Sequence, residues 1–228
     1  MSEHLELQRL ADLSDDELAL AYAPATEPWL RVNFVSTVDG AVQGSDGLSK
    51  SINNEADKRV FDALRARADC LVVGAGTLRA EGYDVPPLPL VVVTRSAALP
   101  PTLLDAPRGR VLMATVAAAG GLDVSREQLG EENVLVLGED EIDLGELKAT
   151  LAGRGWTEQL CEGGPSLFAD LVAAGVVDEL CWTVVPTLTG GDAVRIATGA
   201  EVEVALRPVL LLEQDGTLLG RWLVERLD

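Results

Sequence analysis

Residues 159–175 read Gln159-Leu160-Cys161-Glu162-Gly163-Gly164-Pro165-Ser166-Leu167-Phe168-Ala169-Asp170-Leu171-Val172-Ala173-Ala174-Gly175. A short apolar strand, Gln159–Glu162, runs into paired glycines and then into a helix. Proline stands in the first turn of that helix, where its missing N–H costs nothing. Leu167, Phe168, Leu171 and Val172 share one face, and Gly175 is placed to end it. Strand, glycine turn and helix in this order predict an α/β unit.

The same grammar extends in both directions. Further strands are predicted at Leu30–Thr37, Cys70–Gly74, Leu90–Thr94, Arg110–Ala114, Val134–Gly138 and Glu179–Val185. Several are too continuously apolar to keep a wet face, so they belong in a mostly parallel central sheet covered by helices on both sides. Helices are predicted at Glu55–Ala68, after Asn53-Asn54, and at Leu144–Ala152, after Asp143. Near the end, Val209–Glu213 and Thr217–Glu225 flank Asp215-Gly216, a pair suited to the positive φ angles of a tight hairpin. The expected fold is therefore a three-layer sandwich whose mixed sheet closes in an antiparallel C-terminal hairpin. Residues 1–27 read as an N-terminal helical extension: an amphipathic stretch around Leu5, Leu7 and Leu10, then Ser14-Asp15-Asp16-Glu17 as a capping box. The main domain is expected over 28–228.

A hydrophobic fraction of 47% in 228 residues is enough for a large core. The net charge of −19 argues against nucleic acid and anionic membrane as partners and leaves a small molecule as the default ligand. If that ligand is itself anionic, local arginines and backbone amides must overcome the global field. The three cysteines, Cys70, Cys161 and Cys181, lie in apolar runs and read as buried thiols of a reducing compartment. With no signal-like or membrane-length apolar segment, a cytoplasmic location is expected. A single histidine, His4, leaves serine–histidine catalysis and histidine-bearing zinc sites without their parts, and no metal is expected. Such a chain must borrow its reactivity, and a redox cofactor can lend it.

Four elements could carry the chemistry. Gly74, Ala75, Gly76 and Thr77 end a strand with glycines that let backbone approach a ligand, although an ordinary turn would look the same. Glu162, Gly163, Gly164, Pro165 and Ser166 expose amide N–H groups at the positive end of a helix, which suits a pyrophosphate. A plain strand-to-helix turn is the alternative there. Thr94, Arg95 and Ser96 put one guanidinium and two hydroxyls at a strand end, a set fitted to a phosphate monoester such as the 2′-phosphate that separates NADPH from NADH. A solvated loop is the competing reading. Asn33, Ser36, Thr37, Asp39 and Gly40 surround the first strand and its turn, and Asp39 either shapes that turn or binds a polar heterocycle.

In this order and spacing, three stretches resemble the reductase domain of riboflavin biosynthesis, a pyrimidine reductase family with a dihydrofolate-reductase-like fold. They are Val35–Gly40, Val73–Glu81, and Glu162–Leu167 followed by Gly175–Leu180. The resemblance spans roughly residues 28 to 226. It implies NADPH bound across the glycine turns, with Leu167 and Gly138 joining the cofactor set. It also implies a pyrimidine-type substrate near Asn33, Ser36, Asp39 and Gly40, together with Arg79, Glu81 and Tyr83. The reaction implied is reduction of an open-chain ribosylamino imine to a ribitylamino group, with Asp39 and Glu162 guiding a proton. A homodimer is implied as well. The family usually carries lysine or arginine directly after Asp-Gly, where this chain has Ala41, and the chain runs Glu81-Gly82-Tyr83-Asp84-Val85-Pro86-Pro87 where the family continues to a phosphate-binding arginine. A dihydrofolate-reductase-like pteridine reductase and a non-catalytic NADPH sensor are the alternatives those departures raise.

Overall fold

Leu71 and Val73 are buried in one core, while Cys70 and Val72, their neighbours on the same strand, are buried in another. Successive side chains of a strand point to opposite faces, so a strand without a polar face must be covered on both. The computed structural model describes residues 5–199 and 201–225. Residues 1–4, 200 and 226–228, which include the outer ends of the predicted extension and main domain, lie outside them.

One ten-stranded sheet runs through the molecule. In chain order its strands are β1 (Leu7–Arg9), β2 (Trp29–Thr37), β3 (Cys70–Gly74), β4 (Leu90–Val93), β5 (Val111–Thr115), β6 (Val134–Val136), β7 (Glu158–Cys161), β8 (Glu179–Val185), β9 (Leu206–Gln214) and β10 (Thr217–Val224). Their spatial order is β1-β9-β10-β8-β2-β7-β3-β4-β5-β6. From β8 to β6 every pairing is parallel, and β10 lies antiparallel between β8 and β9. The helices are α1 (Asp15–Ala21), α2 (Glu55–Arg67), α3 (Ala75–Glu81), α4 (Leu122–Leu129), α5 (Leu144–Gly153) and α6 (Pro165–Ala173). Leu18, Val60, Leu64 and Leu78 of α1 to α3 fill the core on one face. Leu147, Leu151, Leu167 and Leu171 of α5 and α6 fill the other. The three-layer mixed sheet with its C-terminal hairpin is thus as expected.

Local signals explain the element ends. Asp215 and Gly216 both adopt positive φ, 51° and 79°, as the hairpin turn requires. Ser14 and Glu17 form the reciprocal capping box of α1, and Asn54 and Asp143 cap α2 and α5. One expectation is corrected. The stretch around Leu7 is a strand rather than helix, with β1 parallel to β9 and Leu7 opposite Leu211. Three residues are too few for a periodic signal, and β9 would otherwise leave its outer row of main-chain groups unpaired at a sheet edge. Beyond β1 the segment enters the main core, where Leu10, Leu18 and Tyr22 are fully buried.

Arginines from the sheet hold that segment down. Arg31 and Arg221 both pair with the buried Glu179 carboxylate, at 2.7 and 2.8 Å, and Trp29 Nε1 donates to it at 3.0 Å. The same guanidinium groups donate to the carbonyls of Ala21, the last residue of α1, and of Tyr22 and Ala23 just beyond it. Burial alone would raise the Glu179 carboxyl; the two arginine charges and their hydrogen bonds outweigh it and hold the group below its usual range. Removing one member of such a cluster strands buried charge. Glu179→Ala is expected to cost about 3 to 5 kcal/mol in urea unfolding, against roughly 0.5 kcal/mol or less for Asp62→Ala at the exposed Lys58–Asp62 pair. Equal losses would contradict this reading of the cluster.

Candidate active site

The turns that follow β3 and β7 touch each other. Gly74 N–H donates to Gly163 O at 2.8 Å, and Glu162 N–H donates to Val72 O at 3.1 Å. A Cβ on Gly74 would stand 3.5 Å from Gly164 N, one on Gly163 would press on the Phe34 ring at 3.1 Å, and one on Gly164 would collide with the Thr77 hydroxyl. Gly163 also has φ +92°, a conformation that side chains resist. Glycine is therefore required here for contact between backbones. The result is a thin ridge of main chain with a cleft on each side.

The first cleft, of about 450 Å³, is lined by Asn33, Thr77, Glu81, Tyr83, Glu162 and Pro165, with Asp57, Phe61 and Lys50 among its other walls. The second, of about 650 Å³, is lined by Ala75, Arg79, Thr94, Arg95 and Ser96, with Glu141 and Asp170 opposite. Gly74, Gly76, Ser166 and Leu167 border both. A Cβ at Gly76 would meet nothing within 4 Å, so the ridge is open at that point. Helix α6 begins at the ridge with Gly164 as its N-cap, so the first-turn N–H groups of Ser166 and Leu167 have no intrahelical acceptor. A long ligand lying over the ridge would meet bare backbone in the middle, Thr94, Arg95 and Ser96 at one end and a half-apolar cleft at the other. Residues and space fit a dinucleotide.

The structure brings most, not all, of the sequence candidates to these clefts. Gly164 lines the first cleft, whereas Gly163 sits behind the ridge against Phe34. Arg79 faces the second cleft, away from Glu81 and Tyr83. Gly138 is not in either wall; its φ of +105° and the lack of room for a Cβ beside Glu141 O shape the loop that delivers Glu141 and Ile142 to the second cleft. Ser36, Asp39 and Gly40 line neither. Ser36 is buried, accepting from Trp182 Nε1 at 2.8 Å and donating to Thr37 O at 3.0 Å. Asp39 accepts from Thr37 Oγ1 at 2.5 Å and from the N–H groups of Gly190 and Thr189 at 2.7 and 3.1 Å. Those three donors depress its carboxyl to about 2. Gly40 closes the same turn at φ +87°.

Glu162 is held from behind. Arg65 of α2 grips it through two hydrogen bonds of 2.7 Å, and the Tyr83 hydroxyl donates to Oε2. The Arg65 guanidinium lies 4.3 Å from the centre of the Phe61 ring. Burial first, and then the neighbouring Glu162 charge, push the Tyr83 phenol well above its usual range, so it keeps its proton. Asp57 is different. Its side chain is buried in the wall of the first cleft with only a hydrogen bond to Thr183 to set against desolvation, and its carboxyl is raised. Sequence reading passed over both α2 residues. The i, i+4 spacing of Phe61 and Arg65 was an available sign of a stacked arginine; an acid in the first turn of a helix, like Asp57, looks like ordinary dipole complementation.

Two unequal clefts divided by a glycine ridge lie at the carboxyl ends of parallel strands, the edge at which α/β sheets bind their ligands. The chain belongs to the RibD C-terminal domain family, whose model matches residues 28–217. It is 28% identical over 191 residues to the 2,5-diamino-6-ribosylamino-4(3H)-pyrimidinone 5′-phosphate reductase of Archaeoglobus fulgidus, covering 75% of this chain and 87% of that one. To the enzyme of the same description from Methanothermobacter thermautotrophicus it is 30% identical over 189 residues, covering 76% and 85%. Its fold is shared with a pyrimidine reductase-like protein from Corynebacterium diphtheriae, with a TM-score of 0.80, 22% identity, and coverage of 94% of this chain and all of the other.

Because a Cβ at position 76 enters open space, Gly76→Val should leave the fold intact and block the ridge. We expect an unchanged urea midpoint and at least a tenfold loss of nicotinamide coenzyme affinity by calorimetry, which is about 1.4 kcal/mol. Full affinity in a folded Gly76→Val protein would put the coenzyme elsewhere.

Proposed function

We propose that this protein is an NADPH-dependent reductase of a phosphoribosylamino-pyrimidine in riboflavin biosynthesis, converting the open-chain imine of the sugar to the ribitylamine. The single observation that carries this reading is the pair of clefts meeting over the Gly74–Gly164 ridge, one with an arginine at its far wall and one with a buried carboxyl. Relatives named as reductases of that substrate class support it. NADPH, when bound, supplies the hydride that reaches the imine carbon, and the imine nitrogen takes up one proton.

The protein's own part is to bind, orient and protonate. The amides of Ser166 and Leu167 at the start of α6 would hold the pyrophosphate, and Arg95 with Thr94 and Ser96 would hold the 2′-phosphate. In the first cleft the two acids divide the work. Glu162 has Arg65 and Tyr83 on its oxygens, so it acts as a fixed acceptor for ring N–H or amino groups of the pyrimidine. Asp57, desolvated, holds a proton more readily than an exposed aspartate and passes it toward the imine nitrogen, directly or through a water. The roles follow from the partners, a guanidinium and a phenol on one carboxyl and a lone hydroxyl on the other.

The exposed Val202, Val204, Leu206 and Leu218 around the C-terminal hairpin support a homodimer. A cytoplasmic location agrees with three free, buried cysteines. No helix of the described residues is long and apolar enough to cross a membrane.

The direct test follows NADPH absorbance with the phosphoribosylamino-pyrimidine, in its 2-amino and 2-oxo forms, and with dihydrofolate. Turnover of a ribosylamino substrate is expected; oxidation with dihydrofolate alone, or saturable binding without turnover, would contradict the reading. Arg95→Ala should weaken NADPH at least tenfold more than NADH, by the usual worth of a charged phosphate contact of about 1.5 to 3 kcal/mol. Asp57→Asn should lower kcat by about a hundredfold or more. Because Asp57 must be protonated, kcat in the wild type should fall as pH rises through its raised pKa, and that limb should vanish in the variant. A limb that persists in Asp57→Asn would assign the proton to another group.

A further inference from the structure

Ala97 and Asp215 are the residues other than glycine that take a positive φ among the described residues. Asp215 belongs to the hairpin turn, and aspartate tolerates that conformation. Ala97, at φ 52°, holds a backbone shape that an alanine Cβ resists, so its surroundings must impose it. It directly follows Thr94, Arg95 and Ser96, which line the second cleft.

The start of α4 imposes it. The hydroxyl of Ser125, a buried residue of that helix, donates to Ala97 O. A serine inside a helix often turns its hydroxyl back on the carbonyl four residues earlier. Here Gly121 O receives the Ser125 N–H at 3.0 Å, and the hydroxyl goes to the loop instead. Gly121, the N-cap of α4, lies against the same stretch: a Cβ on it would stand 2.8 Å from both Ser96 O and Ala97 O. The Ala97 side chain is buried in the core that also takes Val116 and Ala119. At the other end of the loop Thr94 N–H donates to Ala114 O at 3.0 Å, and Thr94 Oγ1 accepts from Ser96 N–H at 3.3 Å. The carbonyls of Ser96 and Ala97 are thus turned toward α4, while Arg95 and Ser96 stay exposed at the cleft. Neither Ser125 nor Gly121 lines a cleft, so anything they do for a ligand passes through this loop.

We propose that Ser125 and Gly121 are positioning residues for coenzyme choice: by holding Ala97 in its left-handed conformation they fix Arg95 and Ser96 at the second cleft. They thereby set the preference for a dinucleotide with a phosphate monoester on its adenosine ribose over one without it. The proposal rests on the reading of Arg95 as the contact to that phosphate.

Binding of NADP⁺ and NAD⁺ to the full chain is measured by calorimetry, beside the urea midpoint of each protein. The proteins are the wild type, Arg95→Ala, Ser125→Ala, Gly121→Ala and the double variant Ser125→Ala with Ala97→Gly. Ser125→Ala and Gly121→Ala should each lower the ratio of NADP⁺ to NAD⁺ affinity by about fivefold or more, part of the loss expected of Arg95→Ala, and change NAD⁺ binding by less than about twofold. Glycine bears a positive φ without strain, so adding Ala97→Gly to Ser125→Ala should restore part of the ratio. In turnover the α4 variants should raise KM for NADPH and not for NADH. Variants of Ser125 and Gly121 that lose stability yet keep the wild-type ratio, or that weaken both coenzymes equally, overturn the proposal, because α4 then only supports the core. A ratio lowered by Arg95→Ala but by neither α4 variant refutes the positioning role and leaves the Arg95 reading intact. A ratio that Arg95→Ala does not move refutes that reading and takes the positioning role with it.

Discussion

Two backbone turns in contact control this molecule. The hydrogen bond from Gly74 to Gly163 and the virtual contact of Gly74 with Gly164 N bring the ends of β3 and β7 as close as main chain allows. Any side chain on Gly163 or Gly164 would push into Phe34 or Thr77, so the approach exists only because these positions have none. Everything functional follows from that ridge. It divides one groove into two clefts, aims the start of α6 at both, and leaves Gly76 facing open space. A parallel sheet supplies the rest, because the strands on either side all end at the same edge.

The ridge also explains how a strongly anionic chain can serve an anionic ligand. Amides and helix dipoles carry positive potential without adding net charge. Arg79 and Arg95 line one cleft and Lys50 the other, while Arg31, Arg221 and Arg65 hold the buried Glu179 and Glu162. The two acids of the first cleft have different partners: Glu162 is held by Arg65 and Tyr83, and the buried Asp57 has only Thr183.

Much of this was legible in the sequence, and the exceptions have physical causes. Strands β3 and β8 appear as read, because unbroken Val/Leu/Cys runs between glycines or charges leave little choice. Helix α6 carries its own start and stop signals in Pro165 and Gly175, and the Asp215-Gly216 turn likewise announces itself. The β1 strand was hidden because three residues hold no period and its stabilisation comes from β9, some 200 positions away. Arg65 and Glu162 are 97 residues apart, and no local pattern tells that a helix residue will brace a glycine turn. At Asp39 two readings stood open, and the turn is the one seen: its carboxylate accepts from Thr37, Thr189 and Gly190.

The central claim is that one dinucleotide lies across the ridge with its two ends in different clefts. A crystal structure of the protein with NADPH measures this most directly. The account predicts the adenosine phosphate against Arg95, the pyrophosphate over Gly76 and the amides of Ser166 and Leu167, and the nicotinamide ring in the first cleft facing the side of Asp57. A dinucleotide confined to one cleft, or bound away from Gly76 altogether, would contradict it.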